Sequence, residues 1–287
     1  MVIYMAMKLA LNTLGCPDWS LDKVISVSKS LGFTGIEIRG LGGILDTKNI
    51  PELSEQGSDY FKSTLKNNCL NAVCLCTSAS FHDADKLLFF INEVKYDIIC
   101  AYRCEIPAIR VFGNNIKSAG EEPDTLTRVI SAIRQLCRFS RDIQIQNYPY
   151  LSSPVKILLE AHGDFNTTRI LRYICDNVDD DAFGIIWDIA HTDRAFNYGE
   201  GNYFDFYNKL GKYINHLHIK DHRKSGDKYT LCSIGKGTIP IREIISLLKE
   251  NGFDGYYSYE LEKRWHPELP DPKEEFPRFI EFMNTIL

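Results

Sequence analysis

Two rhythms alternate along the chain. Short, mostly apolar runs recur at KLALN (8–12), GIEIR (35–39), NAVCLC (71–76), AIRVFG (108–113), VKILLE (155–160), FGIIWD (183–188), INHLHI (214–219) and GYYSYE (255–260). They have the length and composition of buried strands. Between them lie stretches with apolar residues every three or four positions, roughly 19–31, 52–68, 83–104, 124–143, 167–178, 203–211, 240–251 and 274–286, which read as amphipathic helices. Ser20 and Asp22 open the first helix and Gly32 follows its end; Pro123 and Asp124 open the fourth; Asn251 and Gly252 close the seventh. SLGFTGIEIRG (30–40) and LKENGFDGYYSYE (248–260) repeat one helix–stop–strand pattern.

Strict strand–helix alternation implies a parallel sheet. Eight such units in 287 residues fit a closed (β/α)8 barrel. An open doubly wound sheet is the alternative, but the first strand runs into LGCPDW, not a glycine-rich phosphate turn, and no nucleotide cofactor is expected. No linker or low-complexity stretch divides the chain. Residues 1–287 therefore read as one barrel domain, with 1–6 a candidate disordered extension and Met5 or Met7 alternative starts.

Composition narrows the function. At 44% hydrophobic and 25% charged the chain is ordinary for a folded protein, and its net charge of −5 argues against a non-specific nucleic-acid binder. No basic leader, small-residue cleavage site or membrane span is legible, so a cytoplasmic location is expected. The nine cysteines include no CxxC pair. Cys69, Cys74, Cys137 and Cys175 fall in apolar runs and read as buried free thiols, consistent with a reducing compartment.

The chemistry of such barrels sits at the C-terminal ends of the strands. In the second half those ends carry Glu160, Asp188, His218 and Glu260, separated by 28, 30 and 42 residues. Each step is about one βα unit, the last enlarged by an insert around Lys224–Cys232. Period-two alternation places each on the inward face, with Leu158, Ile186, His216 and Ser258 beneath them. Three carboxylates that close need a counter-charge. One nitrogen and three carboxylates suit one divalent ion: Mn²⁺, Mg²⁺, Zn²⁺ or Co²⁺. Taken singly, Asp188 is as well explained as a helix cap, His216 as a core histidine, and Glu262 as a surface partner of Lys263 or Arg264.

Together LLEAHGDF (158–165), WDIAHT (187–192), HLHIKD (216–221), SIGKGTIPI (233–241), GYYSYELE (255–262) and GIEIRG (35–40) resemble the xylose-isomerase-like TIM barrels, which include sugar-phosphate isomerases and epimerases. The resemblance implies metal ligands at Glu160, Asp188, His218 and Glu260, with Glu160 and Glu260 also the acid/base pair. It implies substrate contacts at Glu37, Arg39, His162, His191 and Arg223. Lys220 shares His218's inward parity and would meet a phosphate or carboxylate, or form a structural salt bridge. The implied reaction is metal-dependent isomerisation or epimerisation of a sugar or sugar phosphate, with a keto-polyol dehydratase as the alternative. A three-zinc DNA-repair endonuclease is disfavoured, because Asp227 is followed two residues on by Tyr229 and strand four carries Arg110 and no histidine. A non-catalytic sugar-binding barrel is disfavoured by the intact ligand set. A carbohydrate is the expected partner, with no nucleic acid and no membrane. The segment 262–277 reads as an exposed loop, or as a flap or homodimer contact through Trp265. The segment 191–204 reads as a lid loop.

Overall fold

The computed structural model describes residues 7–286; the candidate extension 1–6 lies outside the described residues. The strands are β1 (Lys8–Asn12), β2 (Gly35–Ile38), β3 (Asn71–Ser80), β4 (Ala108–Asn114), β5 (Lys156–Gly163), β6 (Phe183–Asp188), β7 (Ile214–Ile219), a hairpin β8 (Asp221–Ser225) and β9 (Lys228–Cys232), and β10 (Tyr256–Tyr259). All but the hairpin pair in parallel and close a barrel in the order β1-β10-β7-β6-β5-β4-β3-β2. The expected eight-stranded barrel is therefore present. The insert after β7, left without secondary structure by the sequence pattern, is the antiparallel hairpin.

The helices among the described residues are α1 (Leu21–Leu31), α2 (Ser58–Asn67), α3 (Leu87–Arg103), α4 (Glu122–Asn147), α5 (Thr168–Val178), α6 (Ile189–Phe196), α7 (Tyr203–Leu210), α8 (Ile241–Glu250) and α9 (Pro272–Asn284). Their ends follow side-chain chemistry. Ser20 accepts from the Lys23 N–H at the start of α1, and Gly32 closes that helix at φ +83°, a left-handed turn suited to a residue without Cβ. Asp271 caps α9 with Pro272 in its first turn. The region 191–204, read as a loop, begins as α6, because Asp188 at the strand end immediately caps a helix.

Two apolar layers result from strand alternation. One large cluster fills the space between sheet and helices, with Trp187, Leu217 and Tyr257 pointing outward into it. A small second cluster, Cys74, Cys76, Ala108, Leu158 and Ile186, plugs the barrel interior. Glu160, Asp188 and His218 stand one step further along the same inward faces, and Asp188 pairs with His218 in the β6–β7 register. Polar side chains thus begin where the inner plug ends. Seven of the nine cysteines are buried free thiols, but Cys69 is exposed at φ +56° just after α2.

Candidate functional site

The barrel mouth is built from inward side chains of adjacent strands. Glu160 on β5, Asp188 on β6, His218 on β7 and Glu260 just past β10 are all buried. One donor atom from each lies within 4.8 Å of the others. Bonds of about 2.0–2.2 Å hold the ligands of one divalent ion about 3–4.4 Å apart, according to the angle between them. His218 Nδ1 lies 3.4 Å from Glu260 Oε1, 3.5 Å from Glu160 Oε2 and 3.9 Å from Asp188 Oδ2. It is buried and makes no hydrogen bond. A nitrogen aimed at three carboxylates without a hydrogen bond fits a metal ligand.

Asp188 is the helix cap that sequence offered, and its other oxygen faces the donor cluster. Its Oδ1 accepts from the Ala190 and His191 N–H groups and caps α6, while Oδ2 turns to the cluster. Capping fixes the carboxylate's angle, so one oxygen is held inward by the helix start.

Cations already balance these acids. Lys220 Nζ lies 2.7 Å from Asp188 Oδ2, 2.6 Å from Glu260 Oε2 and 2.6 Å from Glu262 Oε1. The Arg110 guanidinium pairs with Glu160, donates to the Thr77 carbonyl at 3.0 Å, and lies over the Phe112 ring. Burial pushes the Asp188 carboxyl up to about 7, against the pull of Lys220. Burial acts the same way on Glu260, but His218 and Lys220 outweigh it and hold that acid well below the usual carboxylate range. On His218 burial disfavours charge, yet Glu260, Glu37 and Glu160 hold the imidazole well above its ordinary value.

The structure relocates several expected residues. Glu37 is fully buried beneath the mouth. Its Oε1 accepts from His218 Nε2 at 2.9 Å and Cys76 Sγ at 3.0 Å, with His216 Nε2 at 3.2 Å; its Oε2 accepts from Asn12 Nδ2 at 2.9 Å and Ser258 Oγ at 2.5 Å. Both of its oxygens are thus engaged by the protein, one of them with His218. Arg223 is exposed on the hairpin and donates to the Lys236 carbonyl, away from the cluster. Glu262 is not a surface partner of Lys263 or Arg264 but the third acid on Lys220, and it also faces His266. His216 is the core histidine expected.

Arg39, His162 and Lys220 line the cavity above the donors, beside Arg110 and Trp265. Glu262 and Trp265 both line this cavity, so the start of segment 262–277 reaches the mouth, with Trp265 half exposed there. The His191 ring packs against His162 with centroids 4.1 Å apart. Burial, then Lys220 and His162, holds His191 well below its ordinary range, so it stays neutral. Arg110 went unassigned from sequence; its signal was a lone arginine at inward parity in an apolar strand.

Residues 25–286 match the xylose isomerase-like TIM barrel family. Over 138 residues the chain is 31% identical to an uncharacterised protein of Methanocaldococcus jannaschii, covering 45% of this chain and 44% of that one. The match thus spans less than half the length of this curated relative. Among solved structures, 3-keto-D-glucoside 4-epimerase of E. coli superposes with a TM-score of 0.74 at 17% identity, covering 98% of this chain and 100% of that one. The IolI protein with a bound zinc atom gives 0.74 at 22%, covering 98% and 96%. Identities this low carry the fold alone. On the family match, the chain belongs to the xylose isomerase-like TIM barrels.

Proposed function

We propose that the protein is a divalent-metal-dependent isomerase or epimerase of a sugar or sugar derivative. The observation that carries this reading is the convergence of Glu160, Asp188, Glu260 and the unpartnered His218 Nδ1 at the barrel mouth. The epimerase and the zinc-bound protein of the same fold are consistent with it. Glu160, Asp188, His218 and Glu260 would hold the ion. When bound, it supplies a Lewis acid that polarises a ketose carbonyl and eases loss of the α-proton.

The rest falls to the chain's own groups. Glu160 and Glu260 stand on β5 and just past β10, with β6 and β7 between them, and so approach a substrate from two sides. Glu260, held ionised by His218 and Lys220, is in the form that can accept the α-proton. Donation of a second proton, carried by Glu160 in its acid form, to the opposite face of that carbon gives an epimer, and Glu260 sheds the first proton to solvent. Return of the first proton by Glu260 to the neighbouring carbon, with a proton passing from that carbon's hydroxyl to the original carbonyl oxygen, gives the aldose. His162 and neutral His191 line the approach and are placed to hold substrate hydroxyls, and α6 with Trp265 limits water at the mouth.

The test is solvent-deuterium exchange into a panel of ketoses, ketose phosphates and cyclic polyols with Mn²⁺ present, read by NMR. Label at one carbon with inverted configuration marks an epimerase, transfer between carbons an isomerase, and a dehydrated product the dehydratase alternative. Metal binding with no exchange anywhere in the panel would sink the proposal.

The position of Glu37 gives a separate expectation. A carboxylate behind a metal-bound imidazole fixes its tautomer and raises its basicity, and losing such a partner costs about 10–100-fold in metal affinity. Glu37→Gln should therefore weaken Mn²⁺ or Zn²⁺ binding by that factor in competition with a chelating dye. It also turns an amide N–H toward groups that are themselves donors. Unchanged affinity in a folded variant would remove Glu37 from this role.

A further inference from the structure

Three buried cations stand at the barrel mouth, and two have acidic partners. Lys220 has Asp188, Glu260 and Glu262; Arg110 has Glu160. Arg39 has none. It is only 8% exposed, its Nη2 donates to Ser78 Oγ at 2.8 Å, and its Nη1 is buried without a hydrogen-bond partner. Among the described residues, no carboxylate lies within ion-pair distance of it. Its backbone is pinned as well, the Arg39 N–H donating to Thr13 Oγ1 at 2.8 Å. The guanidinium is therefore held in place by Ser78 with hydrogen-bonding capacity left unused.

Arg39 lines a cavity of about 280 Å³ shared with Ser78, Ser80, Asn114, Glu160 and Glu260. Glu160 and Glu260 of the donor cluster and Arg39 all line this space. A buried guanidinium lacking a counter-ion is costly, several kcal/mol for an uncompensated ion. Burial, with Arg110 nearby, lowers its pKa to about 10. Arginine's planar fork matches a carboxylate or phosphate with two parallel hydrogen bonds, and a neutral hydroxyl uses only part of that capacity.

We infer that Arg39 forms an anion subsite, so that the substrate is a keto-sugar bearing a carboxylate or phosphate on the part remote from its reacting carbonyl. This rests on the isomerase/epimerase reading for the word "keto-sugar", but the subsite itself rests on Arg39 alone. Ser78 orients the guanidinium, and Ser80 and Asn114 flank the same cavity.

The test is calorimetric titration of the Mn²⁺-loaded protein with D-fructose, D-fructose 6-phosphate and D-fructuronate. At least one charged probe should bind 10-fold or more tighter than D-fructose, and which one does so separates phosphate from carboxylate. Arg39→Gln should erase that preference, whereas Arg39→Lys should keep part of it; melting curves check that both variants fold. Equal affinities for all three probes, no binding by either charged probe, or a preference surviving in Arg39→Gln would overturn the inference. Deuterium exchange on the same samples keeps the two readings apart. Exchange into D-fructose with no preference for a charged probe sinks the subsite and leaves the isomerase reading. Arg39-dependent anion binding with no exchange in the panel does the reverse.

Discussion

His218→Ala should cost the barrel its divalent metal, lowering Mn²⁺ or Zn²⁺ affinity by at least about 100-fold, beyond the 10–100-fold typical of losing a mere supporting group. His218 is the one nitrogen donor in the cluster and the residue whose Nδ1 faces all three acids. Its removal leaves three carboxylates, and Arg110 and Lys220 already neutralise part of their charge. The same substitution strips Glu37 of one donor, a loss of about 1–3 kcal/mol for a buried acceptor. The variant should therefore fold with a lowered melting temperature, and added Mn²⁺ should no longer raise it. A metal-dependent rise equal to that of the unaltered protein would contradict the assignment.

Glu260→Gln should lower turnover by about 10²–10⁴-fold, the usual contribution of a positioned proton-transfer group. Glu260 makes the cleaner test of the acid/base pair, because Lys220 keeps Asp188 and Glu262 as partners when it goes. Glu160→Gln would instead leave the buried Arg110 guanidinium without its carboxylate, and breaking a buried pair in this way costs about 3–5 kcal/mol. Loss of activity there would mix chemistry with misfolding. For Glu260→Gln the expected pattern is residual metal binding, a folded barrel and loss of deuterium incorporation. Incorporation at the original rate would remove Glu260 from proton transfer.

The barrel was legible because each layer leaves its own period in the sequence. Inward and outward faces of a strand differ in polarity only near the C-terminal end, and that is where Glu160, Asp188, His218 and Glu260 stood out. Their convergence followed from spacing alone. Partners across the barrel do not follow from spacing. Glu37 sits near a strand end as they do, but it pairs in register with Asn12 and with Cys74 of the inner plug, so its carboxylate lies deeper, where it meets His218 and Ser258. Arg223 was misplaced because the insert after β7 folds into an antiparallel hairpin that carries it outward. Arg110 stands in an apolar strand, and its partner Glu160 is on the next strand, where spacing alone does not pair them. The lid reading of 191–204 missed α6 because the helix begins one residue after the strand, with Asp188 serving both.

The central claim is that three acids and one imidazole at the barrel mouth form a site for a single divalent ion. Anomalous diffraction at the manganese edge, from crystals grown with Mn²⁺, tests it most directly. The account predicts one peak bonded to Glu160, Asp188, His218 Nδ1 and Glu260, about 2.2 Å from the imidazole nitrogen. It also predicts that Lys220 gives up Asp188 or Glu260 while keeping Glu262. No peak among those four donors at saturating Mn²⁺, with Lys220 still bridging Asp188 and Glu260, would contradict it.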